Sequence, residues 1–163
     1  MVSQVITEDA GEFRTALPDG GALLGIDLGT QTIGTAFCDA GWSFASAGKT
    51  LPRGKFARDK AALEALVAER RVKGFVIGLP LNMDGTGGPR AQASRAYARN
   101  LAQDTTGLAL PVLLWDERWS TASAERAMID QDMSRAKRAE RIDSHAAAVI
   151  LQAAIDRLAG GIL

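Results

Sequence analysis

The stretch ALLGIDLGTQTIGTAFCDAGWSFASAGKTL, residues 22–51, holds three strand-like runs with almost nothing between them. ALLGIDL (22–28) is a short apolar run bounded by glycine-rich turns, and IGTAFCD (33–39) reads as a second strand. Ala40-Gly41 then turns the chain into a third, WSFASAGKTL (42–51). Parallel strands need a crossover of about a dozen residues or more, so connections this short impose an antiparallel meander. Inside the first run sits one carboxylate, Asp27, where a charge is costly unless something pairs with it or binds it.

Beyond residue 51 the pattern changes to alternating helix and strand. FARDKAALEALVAERRVK (56–73) sets Leu63, Leu66 and Val67 at helical spacing, and GFVIGL (74–79) is a compact apolar strand. After the loop PLNMDGTGG, Pro89 is placed as the first residue of a helix running to about 104. LPVLLWDE (110–117) predicts a strand, STASAERAMIDQ (120–131) a short helix, and IDSHAAAVILQAAIDRLA (142–159) a long one with an apolar face. The order is βββαβαβα with one extra short helix. Right-handed crossovers then place helices over the sheet. The simplest solution is an α/β domain, a five-stranded mixed sheet flanked by helices, and that is the order of a ribonuclease-H-like fold.

The 163 residues suit one domain with a real core. We place it at 21–163 and read 1–20, mixed and acidic, as a loosely held extension. The formal charge is zero, but the extension carries Glu8, Asp9, Glu12 and Asp19 against Arg14, leaving the remainder net basic by three. Arginine suits bidentate contact with phosphate or carboxylate, and it outnumbers lysine 14 to 5. A single cysteine, Cys38, fits a reducing compartment and is most simply a small core residue. No apolar run approaches a membrane span and the first residues lack the apolar core of a secretion signal. The expected location is the cytoplasm.

Three acidic positions fall where α/β sheets build sites, at the carboxyl ends of strands and the helix starts beside them. Asp27 ends the first strand, Asp116-Glu117 ends the last, and Asp143 opens the final helix. If those strands are near neighbours the acids converge, and convergent carboxylates persist mainly where Mg²⁺ or Mn²⁺ neutralises them. Ordinary roles remain open: Asp143 also suits a helix cap, and Asp116-Glu117-Arg118 also suits a surface ion cluster. Asp27 has the least ordinary surroundings, with Gly29, Thr30 and Gly34 following it.

Other segments bear on substrate. The loop GLPLNMDGTGGPRAQ (78–92) reads as mobile, closing onto a helix start where N–H groups favour anions, with Arg90 in the first turn able to hold a phosphate. Arg135, Lys137, Arg138 and Arg141 form a basic patch just before Asp143, suited either to a solvated helix face or to a polyanionic substrate. His145 is the sole histidine, open to a structural role or to orienting water near Asp143. Trp42, Trp115 and Trp119 lack the spacing of a stacking series; all three suit the core or its edge, and Trp119 also suits a site rim. The turn DLGTQTIG also resembles the phosphate hairpin of actin-like ATPases, but those need two large lobes and this chain is too short for two.

GIDLGTQTIGTAFCD, VIGLPLNMDGTGGPRAQ, DERWST and RIDSHAAAVILQ, taken in order over residues 21–157, resemble the YqgF/RuvX family. These bacterial proteins are described as pre-16S rRNA nucleases and as Holliday-junction-resolvase-like. The resemblance implies a ribonuclease-H-like fold and nuclease activity on structured nucleic acid, notably trimming the 5′ end of the small-subunit rRNA precursor in ribosome maturation. Carried over, the acids are Asp27, Glu117 (rather than Asp116) and Asp143. On our reading of the mechanism these would hold one or two divalent ions, while Arg90, Arg118 and the 135–141 patch position backbone phosphates. The family commonly has a basic pair where this chain has Gln31-Thr32. Alternative readings are resolution of four-way DNA junctions and a non-catalytic factor that binds nucleic acid, ribosome or assembly factors. Junction resolution calls for paired sites in a homodimer, whereas a monomer suits RNA trimming.

Overall fold

A computed structural model describes residues 5–104, 108–119 and 135–160, with side chains of the last segment from Ser144 onward. The expected helix over 120–131 falls outside the described residues. The strands are β1 (Ile6–Thr7), β2 (Ala22–Leu28), β3 (Thr32–Cys38), β4 (Ala45–Pro52), β5 (Val72–Leu79) and β6 (Val112–Asp116). The helices are α1 (Ala10–Ala16), α2 (Phe56–Arg70), α3 (Pro89–Ala102) and α4 (Arg135–Ala159), and a 3-10 turn spans Glu117–Trp119.

These strands form one mixed sheet in the order β1-β6-β5-β2-β3-β4. The β2–β3–β4 meander is antiparallel, as the short turns dictate, while β2–β5, β5–β6 and β1–β6 are parallel. The pleat sorts β2 into two faces. Leu24, Ile26 and Leu28 join α2 and α3 in one core, with Leu63, Tyr97 and Leu101. Leu23 packs on the other side with Val76, Leu113 and the α4 residues Ala147, Ile150 and Leu151. Glycine at position 25 lets α4 lie close, since a Cβ there would stand 2.9 Å from Leu151 Cβ and 3.2 Å from the Ala147 carbonyl.

Four expectations change. The sheet has six strands among the described residues, not five, because β1 pairs with β6 through Ile6↔Val112 and Thr7↔Leu113. The segment expected to be loosely held is packed from residue 5: Asp9 caps α1 by accepting the Gly11 N–H at 2.7 Å, and Phe13 is wholly buried in the α4-side core. One buried aromatic outweighs the acidic composition, because burying a phenyl ring stabilises by roughly 1.5–3 kcal/mol. The third strand starts at Ala45 rather than Trp42, which closes a turn at φ 58° and donates its indole N–H to the Gly21 carbonyl at 2.8 Å. Finally, the last helix begins at Arg135 rather than 142, so Asp143 lies two turns inside it and does not cap it.

Candidate active site

The first and last strands of the expected site are not adjacent; β5 lies between β2 and β6. Asp27 and Gly78 each stand one step beyond the registered pair Ile26↔Ile77, and Gly78 pairs with Trp115 on the other side. Asp27 follows Leu23 and Gly25 on the α4 face of β2. Gly78 has no side chain on that face, and the space is taken by its neighbours. A Cβ there would stand 2.7 Å from Ile150 Cδ1 and 2.9 Å from Glu117 Oε2. Two carboxylates, Asp27 at 1% exposure and Glu117 at 4%, therefore flank a bare strand position at the carboxyl end of the sheet.

Asp116 takes the other face. It pairs with Leu79 in the sheet, and its carboxylate accepts Arg118 Nη2 at 2.7 Å and Arg118 Nε at 3.1 Å. This contact holds the Asp116 carboxyl below its ordinary value and raises Arg118 in turn. Arg118 also donates Nη1 to the Met83 carbonyl at 3.2 Å, tying the strand end to the glycine-rich loop. That loop, expected to be mobile, is closed on itself: Leu81 bridges Gly87, Asn82 N donates to the Thr86 carbonyl at 2.8 Å, and Asp84 accepts from the Thr86 hydroxyl at 2.6 Å. The strand end and the 3-10 turn after it thus separate two neighbouring acids into different roles, Asp116 in an ion pair and Glu117 beside Asp27.

The β2–β3 turn carries two guanidinium groups. Arg90, exposed in the first turn of α3, donates Nη2 to the Leu28 carbonyl at 3.2 Å. Arg53, from the end of β4, donates Nη1 to the Gly29 carbonyl at 2.6 Å. Nothing in the sequence around Arg53 marks it out; only the β4 register brings it there. The α4 helix reaches the site through Ser144, whose hydroxyl bonds that of Thr50. Thr50 pairs with Gly34, and Gly34 with Asp27. Residue 143 is next to Ser144 and one turn before Ala147 on this helix, while His145 is exposed. The side chains of Asp143, Arg135, Lys137, Arg138 and Arg141 lie outside the described residues.

Among the described residues no three His, Cys, Asp or Glu side chains gather into a metal cluster. The two acids that are described nonetheless fit a hard divalent cation. Buried like charges on one face raise each other's cost, and paired carboxylate oxygens are the donors that Mg²⁺ and Mn²⁺ prefer. Gly78 is the part of the site that sequence reading missed. Its signal was present as a glycine inside an apolar strand, which marks a close approach by other groups.

A sequence model of the family described as "RuvX: Holliday junction resolvase" matches residues 21–157. The chain is 66% identical over 156 residues to a Novosphingobium aromaticivorans protein named "Putative pre-16S rRNA nuclease", covering 96% of this chain and 98% of that one. It is 64% identical over 154 residues to a protein of the same name from Sphingopyxis alaskensis, covering 94% and 99%. Among solved structures, Thermus thermophilus RuvC with a Holliday junction substrate superposes at TM-score 0.50 and 12% identity, covering 84% of this chain and 94% of that chain. A second Thermus thermophilus RuvC structure gives 0.50 at 14% identity, covering 85% of this chain and 96% of that chain. At such identities the likeness shows the ribonuclease-H-like fold alone.

Proposed function

The chain belongs to the RuvX family, and on that premise we propose that it is a divalent-metal-dependent nuclease that hydrolyses phosphodiester bonds, its substrate the 5′ end of pre-16S rRNA during ribosome biogenesis in the cytoplasm. The observation that carries this reading is the pair of buried acids, Asp27 and Glu117, on either side of Gly78. The names of relatives that match almost the whole chain support the choice of rRNA.

Asp27 and Glu117, with Asp143 from α4, would hold the ion. When bound, a divalent ion lowers the pKa of a water and offsets charge on phosphate oxygens. The other groups position the strand being cut. Arg90 is fixed by one nitrogen on the Leu28 carbonyl and exposed, which leaves its remaining N–H groups for a phosphate beside Asp27. Arg118 holds the 80–88 loop against the strand end through Asp116 and the Met83 carbonyl, so it shapes the mouth of the site and presents a cation there. The basic residues 135, 137, 138 and 141 supply sequence-independent affinity for the backbone.

One assay tests the assignment: purified protein, with and without Mg²⁺, on a pre-16S leader, a single-stranded RNA and a DNA four-way junction. Asp27→Asn should abolish cleavage and leave the melting temperature largely intact; full activity in that variant would refute the acid site. The description of the matched family favours a second reading, junction cleavage. It predicts preference for the four-way junction and a stable dimer in sedimentation. Metal-independent binding with no cleavage of any substrate would instead identify an assembly factor.

A further inference from the structure

Next to this site lies a second cleft that the nuclease reading does not use. It has a volume of about 500 Å³, within the range of ligand pockets, and opens between the β1–α1 junction, the end of β6 and α4. Trp115, Trp119, Glu8, Asp9, Ala153 and Arg157 line it. Ala153 and Arg157 follow Ile150, the residue beside Gly78 and Glu117, at helical spacings of three and seven. At a rise of about 1.5 Å per residue that puts the cleft roughly 5–10 Å along α4 from the acids.

One feature of the cleft lacks an explanation within the fold. Trp115 is 6% exposed and forms the inner wall, its indole N–H wholly buried. Trp119, two residues after Glu117, is 62% exposed. It meets Trp115 edge to face, ring centroids 5.7 Å apart and planes at 82°, so the pair forms a corner with one ring wall in solvent. The charges at the rim are mixed. Glu8 accepts Arg95 Nη1 at 2.9 Å, Asp9 caps α1, and Arg157 is exposed. With Glu8 paired to Arg95, Asp9 stands against Arg157 and a free anion finds no net attraction, whereas a planar uncharged ring with acceptor and amino edges meets a partner for each.

We propose that this cleft binds an unstacked nucleobase of the substrate strand, stacked on the exposed face of Trp119 with Trp115 as the inner wall, one or two nucleotides from the bond that is cut. The inference rests on the nuclease reading for the identity of its ligand as a nucleic-acid strand. Aromatic stacking serves any base, so the site selects single-strandedness near the scissile phosphate rather than sequence. Arg157 then faces the backbone of the bound nucleotide.

The test is anisotropy of the full-length protein in EDTA with a labelled single-stranded RNA octamer and with a blunt RNA duplex. Trp119→Ala should weaken octamer binding by about tenfold, as expected for loss of one stacked base, and leave duplex binding within about twofold. Trp119→Phe should recover most of the loss. Because Trp119 is exposed, the alanine variant should melt with the wild type. Unchanged octamer affinity overturns the proposal, and so does an equal loss on both ligands, which would mean that base contact is not involved. Without metal there is no cleavage, so the outcomes separate: an Asp27→Asn enzyme that still cuts RNA would undo the acid assignment and leave this site standing.

Discussion

Gly78→Ala places a methyl group where the site has none to spare. The new Cβ would stand 2.9 Å from Glu117 Oε2 and 2.7 Å from Ile150 Cδ1, both closer than real Cβ contacts allow. Both atoms are the far ends of side chains that can turn away, so the cost in stability sits at the low end of overpacking, about 1 kcal/mol. For a chain of this size that is a fall of about 2–4 °C in melting temperature. The carboxylate, however, must leave its position beside Asp27, and displacement of a reacting group by about 1 Å can cost on the order of 100-fold in rate. Gly74→Ala is the matched control on the same face of the same strand. Its Cβ would stand 2.9 Å from Leu17 Cδ1, 3.0 Å from Phe13 Cζ and 3.2 Å from the Pro111 carbonyl, none of them part of the site. The ring and the backbone yield less easily, so this variant should lose more stability, about 2–3 kcal/mol. Below its melting temperature it should keep its cleavage rate. The two variants should therefore rank in opposite order by calorimetry and by cleavage rate. If Gly78→Ala keeps wild-type activity, or if activity merely follows stability across the pair, the placement of Glu117 over Gly78 is wrong.

Other outcomes follow from single contacts. Arg118 depresses the Asp116 carboxyl below its ordinary 3.8, so the unfolded chain binds more protons between the two values. The pair's stabilisation is present above about pH 4 and is lost as pH falls through the lower folded value; melts from pH 7 to 3 should show the gap between wild type and Asp116→Asn closing in acid, and a constant gap would contradict the pairing. Phe13→Ala should cost about 3–5 kcal/mol by chemical denaturation, and an unchanged midpoint would show that α1 is not part of the core. Burial pushes the Cys38 thiol up to about 11. The native protein at pH 8 should therefore react with a thiol reagent far more slowly than the denatured chain, and equal rates would contradict its burial.

The elements that sequence made legible are those whose apolar pattern is set locally. Strand 22–28 and the helix starts at Phe56 and Pro89 stand where periodicity and proline place them, and Asp27 stood out as a charge in an apolar run. What escaped was fixed by tertiary contact. Two residues of β1 carry no periodicity, and only their pairing with β6 makes them a strand. The start of α4 at Arg135 lies in a stretch of good helix formers, Ala, Arg, Lys and Glu, that has no apolar stripe for periodicity to reveal. The choice between Asp116 and Glu117 depends on the face Asp116 takes in register with β5 and on the 3-10 turn that carries Glu117 past the strand end, and neither follows from the residues' own neighbours.

The pairing of β1 with β6 also orders events in time. Ile6 is made long before its partner Val112, and at about 5–20 residues per second the wait is on the order of 5–20 s. Through that interval the meander can form from local contacts, but Phe13 and its helix have no β6 or α4 to cover. The strand that finally closes the sheet edge is also the one that delivers Glu117. Completion of the sheet and arrival of the second acid are thus a single step, and a chain that ends before β6 carries Asp27 without the partner that would give it a site.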